Sequence, residues 1–174
     1  MRRCIALALC ALVGACRGEV AATPTDAAKQ FYTMREALGG TGAPSPDELA
    51  ALRPFITDTL ARGLAMADSL RNADVKAAPD EKPRFVEGDL FSSLFESPTS
   101  CGAAPVTGTG DTVLVPLNCT DTKAKPPVVW TDTVVVVHTG GKWLVQDIRY
   151  GGTWDFANKG SLLQTLQAPT TEKP

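Results

Sequence analysis

The chain has very few of the residues that ligate metals or carry nucleophilic chemistry. His138 is the one histidine among 174 residues, and neither a CxxC nor an HxxxH spacing occurs, which argues against a zinc centre. No metal or other cofactor is expected. No GxSxG elbow is present, so a serine triad would have to draw on His138 with no local signature. "GTGD" at Gly108 to Asp111 has no helix pattern after it and reads as a turn, not as a phosphate loop. Clusters of Lys and Arg are absent too. Nucleic acid is therefore not an expected partner, because phosphate binding needs a basic footprint. After the first twenty residues no apolar run approaches the roughly 20 residues of a spanning helix.

The first twenty residues are different. Arg2 and Arg3 precede Ile5 to Val13, a short apolar run, and Gly14 and Ala15 are small. A basic start, a short greasy stretch and small residues form a secretory signal peptide. Val13-Gly14-Ala15-Cys16 resembles a bacterial lipobox, in which the cysteine is lipidated and becomes the new N-terminus. Small side chains admit the peptidase, and the thiol takes the thioether-linked diacylglycerol. Several acyl chains such as palmitate on one residue anchor firmly where a single chain is marginal. The alternative is an ordinary signal peptide cut nearby, with Cys16 incidental. Arg17, not Asp, follows the cysteine, so in a Gram-negative cell the resemblance implies an outer-membrane anchor facing the periplasm.

Removing residues 1–15 takes away Arg2 and Arg3 and no acid, which leaves 15 basic and 19 acidic residues and a net charge of −4. About 150 mature residues suit a single domain. Residues 16–24 read as lipidated N-terminus and tether, 25–168 as the domain and 169–174 as a disordered tail. Cys101 and Cys119 are the pair left for an oxidising compartment, and a disulfide between them is expected.

Helical signals fill the front third. Thr25 is a candidate cap before Ala27, Phe31, Met34 and Leu38, which recur at helical spacing. Ser45, Pro46 and Glu48 form a capping-box pattern. Leu60, Leu64, Ala67 and Leu70 predict a longer helix from near Phe55. "RFVEGDLFSSLFES", from Arg84, fits a strand or a short helix, with Asp89 as a local cap. Asp111 to Cys119 is β-rich, with Pro116 pointing to an edge or a bulge. Trp130 to Tyr150 reads as a hairpin about Gly140-Gly141. The simple register sets His138 against Trp143, Val136 against Val145, Val134 against Asp147 and Asp132 against Arg149. Leu162 to Leu166 completes the pattern with a short helix.

Helices first, then a sheet ending in "GKWLVQDIRY", then a short helix, resembles the nuclear transport factor 2-like superfamily, and in particular its uncharacterised exported lipoproteins. The matching stretches are "EGDLFSSLFE", "WTDTVVVV" and "YGGTWDFANKGSLLQTL". The resemblance implies an α+β fold in which N-terminal helices pack on a curved antiparallel sheet to make a cone. It supplies a precedent for an acid or histidine in that cone, which makes Asp147 and then His138 the candidate acid–base groups. Against this, Arg149 is placed to pair with Asp147, Asp132 or both. Trp130, Val134, Val136, Trp143, Val145, Asp147, Tyr150 and Trp154 are the candidate pocket lining. The expected role is a non-catalytic binding module, tethered to a membrane through its N-terminal lipid, with an unknown small molecule or envelope protein as partner. An isomerase or lyase using Asp147, and an inhibitor or immunity-type surface binder, are the alternatives.

Overall fold

A computed structural model describes residues 21–106 and 110–167. The expected signal peptide, the Cys16 lipid site and the 169–174 tail lie outside the described residues, as does most of the 16–24 tether. The order is α1 (Pro24–Leu38), α2 (Pro46–Leu52), α3 (Asp58–Ala77), β1 (Ser100–Ala103), β2 (Thr112–Asp121), β3 (Val128–Thr139), β4 (Lys142–Arg149) and α4 (Leu162–Gln167). It is an α+β fold: helices, then a curled antiparallel sheet in the order β1-β2-β3-β4, then a short helix.

Local chemistry starts each helix. Thr23, not Thr25, caps α1 by accepting the Asp26 N–H, with Pro24 in the first helical position. Thr25 lies inside the helix and is buried. The Ser45–Glu48 capping box opens α2 with both of its hydrogen bonds. Thr57 caps α3 through the Leu60 N–H, and Arg53–Phe55 forms a separate 3₁₀ turn, so α3 starts three residues later than its apolar period suggested. Pro at an early helical position fits because its missing N–H would have no partner there.

The sheet is a meander. Cys101 faces Cys119 across β1 and β2, and the two are disulfide-bonded. In the chain-entropy model a closed loop of 18 residues stabilises by about 3 kcal/mol. Pro116 is not at a bulge but within β2, opposite Thr133. Its carbonyl accepts from Ala104 on the β1 side, just where β1 ends. The missing N–H therefore falls on the side away from β3, and the central ladder loses nothing. At the β3–β4 turn Gly140 and Gly141 have φ of +56° and +75°, the left-handed pair that a two-residue turn matching strand twist requires.

Even-numbered residues of β3 face the helices. Trp130, Asp132, Val134 and Val136 are all buried, the last three completely. Helix α1 crosses this face and touches all four strands, while α3 and α4 close the side beyond β4. Phe31, Leu60, Leu64, Val115, Leu117, Val145, Ile148 and Leu162 fill the space between with essentially no exposure. The outer edge of β4 is covered in part, since the Thr57 N–H donates to the Val145 carbonyl and Ser161 bridges Arg149.

Packing this tight makes single truncations costly. Leu64→Ala is expected to lower the unfolding free energy by about 2–5 kcal/mol. Met66→Ala, on the exposed side of the same helix, should change it by less than about 0.5 kcal/mol. Urea unfolding of the two variants is the check, and equal losses would contradict the packing described.

Candidate functional site

The segment read as strand or short helix is neither. Residues 84–97 form a turn-rich loop without helix or ladder, yet Leu90, Phe91, Ser92 and Ser93 are buried. A buried loop must satisfy its backbone polar groups from side chains. The Tyr32 hydroxyl donates to the Phe91 carbonyl at 2.8 Å and the Tyr150 hydroxyl to the Leu90 carbonyl at 2.6 Å. Burial pushes both phenols up, so they stay protonated donors. The Asn158 amide reaches the carbonyls of Asp89 (3.0 Å) and Ser92 (2.7 Å), and the Asn158 N–H reaches Ser93.

Asp132 ties this loop to the sheet. Its carboxylate is completely buried and accepts from the Ser93 N–H (2.9 Å), the Ser93 hydroxyl, the Ser92 hydroxyl (3.5 Å), Trp130 Nε1 (3.0 Å) and the Gly151 N–H (2.9 Å). The Ser93 oxygen in turn accepts from the Gly152 N–H. A carboxylate offers about four lone-pair positions, so Asp132 has none left for a substrate. Ser93, itself fully buried, is no accessible nucleophile. Sequence reasoning missed Ser92, Ser93 and Asn158. The one signal was a pair of serines inside an apolar run.

Asp89, the expected local cap, accepts the Phe91 N–H at 2.9 Å and pairs with Arg35 at 2.8 Å. Arg35 also lies over the Phe91 ring. Burial holds the Asp89 carboxyl above the usual carboxylate range, and the Arg35 guanidinium offsets this only in part.

Asp147 and Arg149 are displaced by a β-bulge. Val136 faces Val145 and His138 faces Trp143 as expected, but the register then shifts: Val135 faces Asp147, Val134 faces Ile148 and Thr133 faces Arg149. One extra residue transfers every later side chain to the other face. Ile148 takes the buried place beside Val134, and Arg149 is exposed. The expected pairings of Asp147 with Val134 and of Asp132 with Arg149 are thus corrected, and no ion pair joins Arg149 to either acid among the described residues. Asp147 Oδ1 accepts the Ile148 N–H (2.8 Å) and the Leu163 N–H (2.9 Å). The second bond satisfies an otherwise unpaired donor in the first turn of α4.

The candidate lining residues are mostly engaged in packing. Val134, Val136 and Val145 are packed core. Trp130 and Trp154 meet edge to face at 5.4 Å, Tyr150 holds Leu90, and Trp143 lies 4.8 Å from the His138 ring at the hairpin tip. None of these, nor Asp147, lines either of two hollows found elsewhere. One, of about 20 Å³, lies among Arg35, Gly40, Glu48, Leu52 and Phe91. The other is an open groove of about 600 Å³ beside the hairpin tip, walled by Arg53, Asp58, Asp111, His138, Lys142 and Leu144. His138 is largely exposed there, with Nδ1 4.0 Å from Asp111. No group of three or more metal-ligating side chains occurs among the described residues, and no described helix is long and apolar enough to cross a membrane.

Two measurements test these roles. Asp132→Ala leaves several buried donors unpaired and is expected to cost at least about 3 kcal/mol, against about 1 kcal/mol for Asp147→Ala, which removes a helix-end acceptor. Denaturant unfolding giving the reverse order would contradict both assignments. The raised Asp89 carboxyl means that the folded chain keeps a proton the unfolded chain releases. That contribution favours the fold at low pH and is lost as pH rises through the raised value. Asp89→Asn cannot ionise, so its stability relative to the parent should rise between about pH 4 and pH 7. A constant difference across that range would refute the assignment.

Compared with known proteins, the chain is 27% identical over 146 residues to a protein described as the uncharacterized lipoprotein YbjP of Escherichia coli (strain K12), a match that takes in 83% of this chain and 75% of the relative. No family model matches the chain, and no solved structure does. Over most of its length, then, this chain is similar to a bacterial lipoprotein.

Proposed function

We propose that this chain is an exported protein, lipid-anchored through Cys16, that serves the cell envelope as a non-catalytic interaction module and meets its partner with its outer surface. The observation that carries the surface reading is the filled interior. The face of the last hairpin that a cone-like fold would turn toward a ligand is packed with Val134, Val136, Val145 and Ile148, each completely buried. The acids near it are engaged: Asp132 by five donors, Asp147 by two backbone N–H groups. An apolar pocket with convergent polar groups is the usual form of a small-molecule site, and a general base needs room beside a reacting proton. A protein partner on the outer surface fits this arrangement better than either.

Anchoring draws its support from the Val13-Gly14-Ala15-Cys16 motif and from the similarity to a lipoprotein. Arg17 favours the outer membrane over the inner one, with the fold in the periplasm. The order of helices, curled sheet and final helix supports a cone-like fold of the nuclear transport factor 2-like kind, closed by its own core.

Cys16→Ser is expected to move the protein from the membrane to the soluble envelope fraction and to abolish incorporation of labelled palmitate. An unchanged membrane fraction would sink the anchoring. Asp147→Asn keeps an oxygen acceptor for the Leu163 N–H and should leave any cellular phenotype intact. Loss of the phenotype in a folded Asp147→Asn protein would instead point to chemistry at that carboxylate.

A further inference from the structure

Among the described residues seven large apolar side chains are exposed; Met66, Val75, Val86 and Leu114 are scattered, and three lie toward one end of the sheet. Val129 at the start of β3 is 72% exposed, Phe95 in the buried loop's outer turn 41% and Phe156 in the segment after β4 89%. The chain that carries them is firmly held. Trp154, two residues before Phe156, packs on Trp130, the neighbour of Val129. Asn158 bonds to the Asp89 carbonyl, and the Asp89 N–H donates to the Phe95 carbonyl at 2.7 Å. The Lys159 ammonium closes the Phe156 segment by donating to the carbonyls of Gly152 (3.1 Å) and Trp154 (2.8 Å). Lys123 and Lys125, both exposed, sit on the β2–β3 connection just before Val129. The opposite end of the sheet, with Asp111, His138, Thr139, the glycine turn and Lys142, is polar.

We propose that the end bearing Phe95, Val129 and Phe156 rests on the phospholipid surface to which Cys16 is tethered, as a second point of attachment that turns the groove at the hairpin tip away from the bilayer. This rests on the lipid-anchored reading. The tether selects the occupant. Cys16 lies eight residues before Pro24, a stretch that spans at most about 28 Å, whereas a domain of this size is roughly 35–40 Å across. The fold therefore stays within one diameter of the membrane and must present some face to it. Aromatic and aliphatic side chains in a rigid frame suit the headgroup boundary, where apolar tips bury while charged neighbours, Lys123 and Lys125 near Val129 and the acids Glu96 and Asp155 beside Phe95 and Phe156, stay wet.

The test uses the mature chain coupled through the Cys16 thiol to a maleimide lipid; Cys101 and Cys119 are bonded to each other and leave Cys16 as the free thiol. Vesicles of phosphatidylethanolamine and phosphatidylglycerol carry a share of brominated acyl chains, which quench nearby tryptophans. Quenching is expected in the parent and in Trp143→Phe, whose lost indole is at the groove end. It should be largely lost in the double variant Phe156→Ser, Val129→Ser, which keeps Trp130 and Trp154. Fluorescence indifferent to bromination, or quenching that follows Trp143, overturns the proposal. So does an unquenched chain whose double variant loses its cellular role, since that outcome assigns this end to a protein partner. Chemical coupling makes the readout independent of native acylation, so a failure of the Cys16 anchor shows in cell fractionation and not here.

Discussion

One buried carboxylate organises the far end of this fold. Asp132 sits on the core face of β3, where an alternating strand would put an apolar side chain, and among the described residues no cation pairs with it. A charge taken out of water is tolerated only when donors replace the lost hydration. Here they come from Ser92 and Ser93, from Trp130 and from Gly151. Two segments without regular structure, residues 84–97 and 151–160, are thereby fixed against the sheet and against each other. Tyr32, Tyr150, Asn158 and Arg35 complete the frame by meeting the carbonyls and the Asp89 carboxylate of the buried loop. Asp132 thus adds to the burial of Leu90 and Phe91 in holding that loop inside the molecule.

The bulge in β4 is the second constraint. By inserting one residue after Val145 it puts Ile148 into the core and takes Asp147 out of line with Val134. The same shift brings the Asp147 carboxylate to the first turn of α4, so the acid that looked most like a catalytic base becomes the contact that docks the last helix. Asp132 and Asp147 are thus both engaged in holding the fold.

The outer surface is not uniform. One end of the sheet is polar and holds the open groove, while the other shows rigidly held apolar side chains.

Sequence alone determined what depends on near neighbours: the capping box at Ser45, the helical period of Leu60, Leu64 and Ala67, the glycine turn and the β-branched run beside it. Each is set by residues within a few positions of one another. The pairing of Cys101 with Cys119 was legible for another reason, since export leaves that pair together in an oxidising compartment. Tertiary structure decided the rest. The partners of Asp132 lie up to 40 residues away along the chain, and nothing local marks a serine as the ligand of a distant acid. The bulge follows from how β4 must meet both β3 and the core, which no alternation pattern encodes. Whether the space between helices and sheet was filled depended on the summed volume of side chains that the described helices bring against the sheet, a quantity that exists only once they have packed.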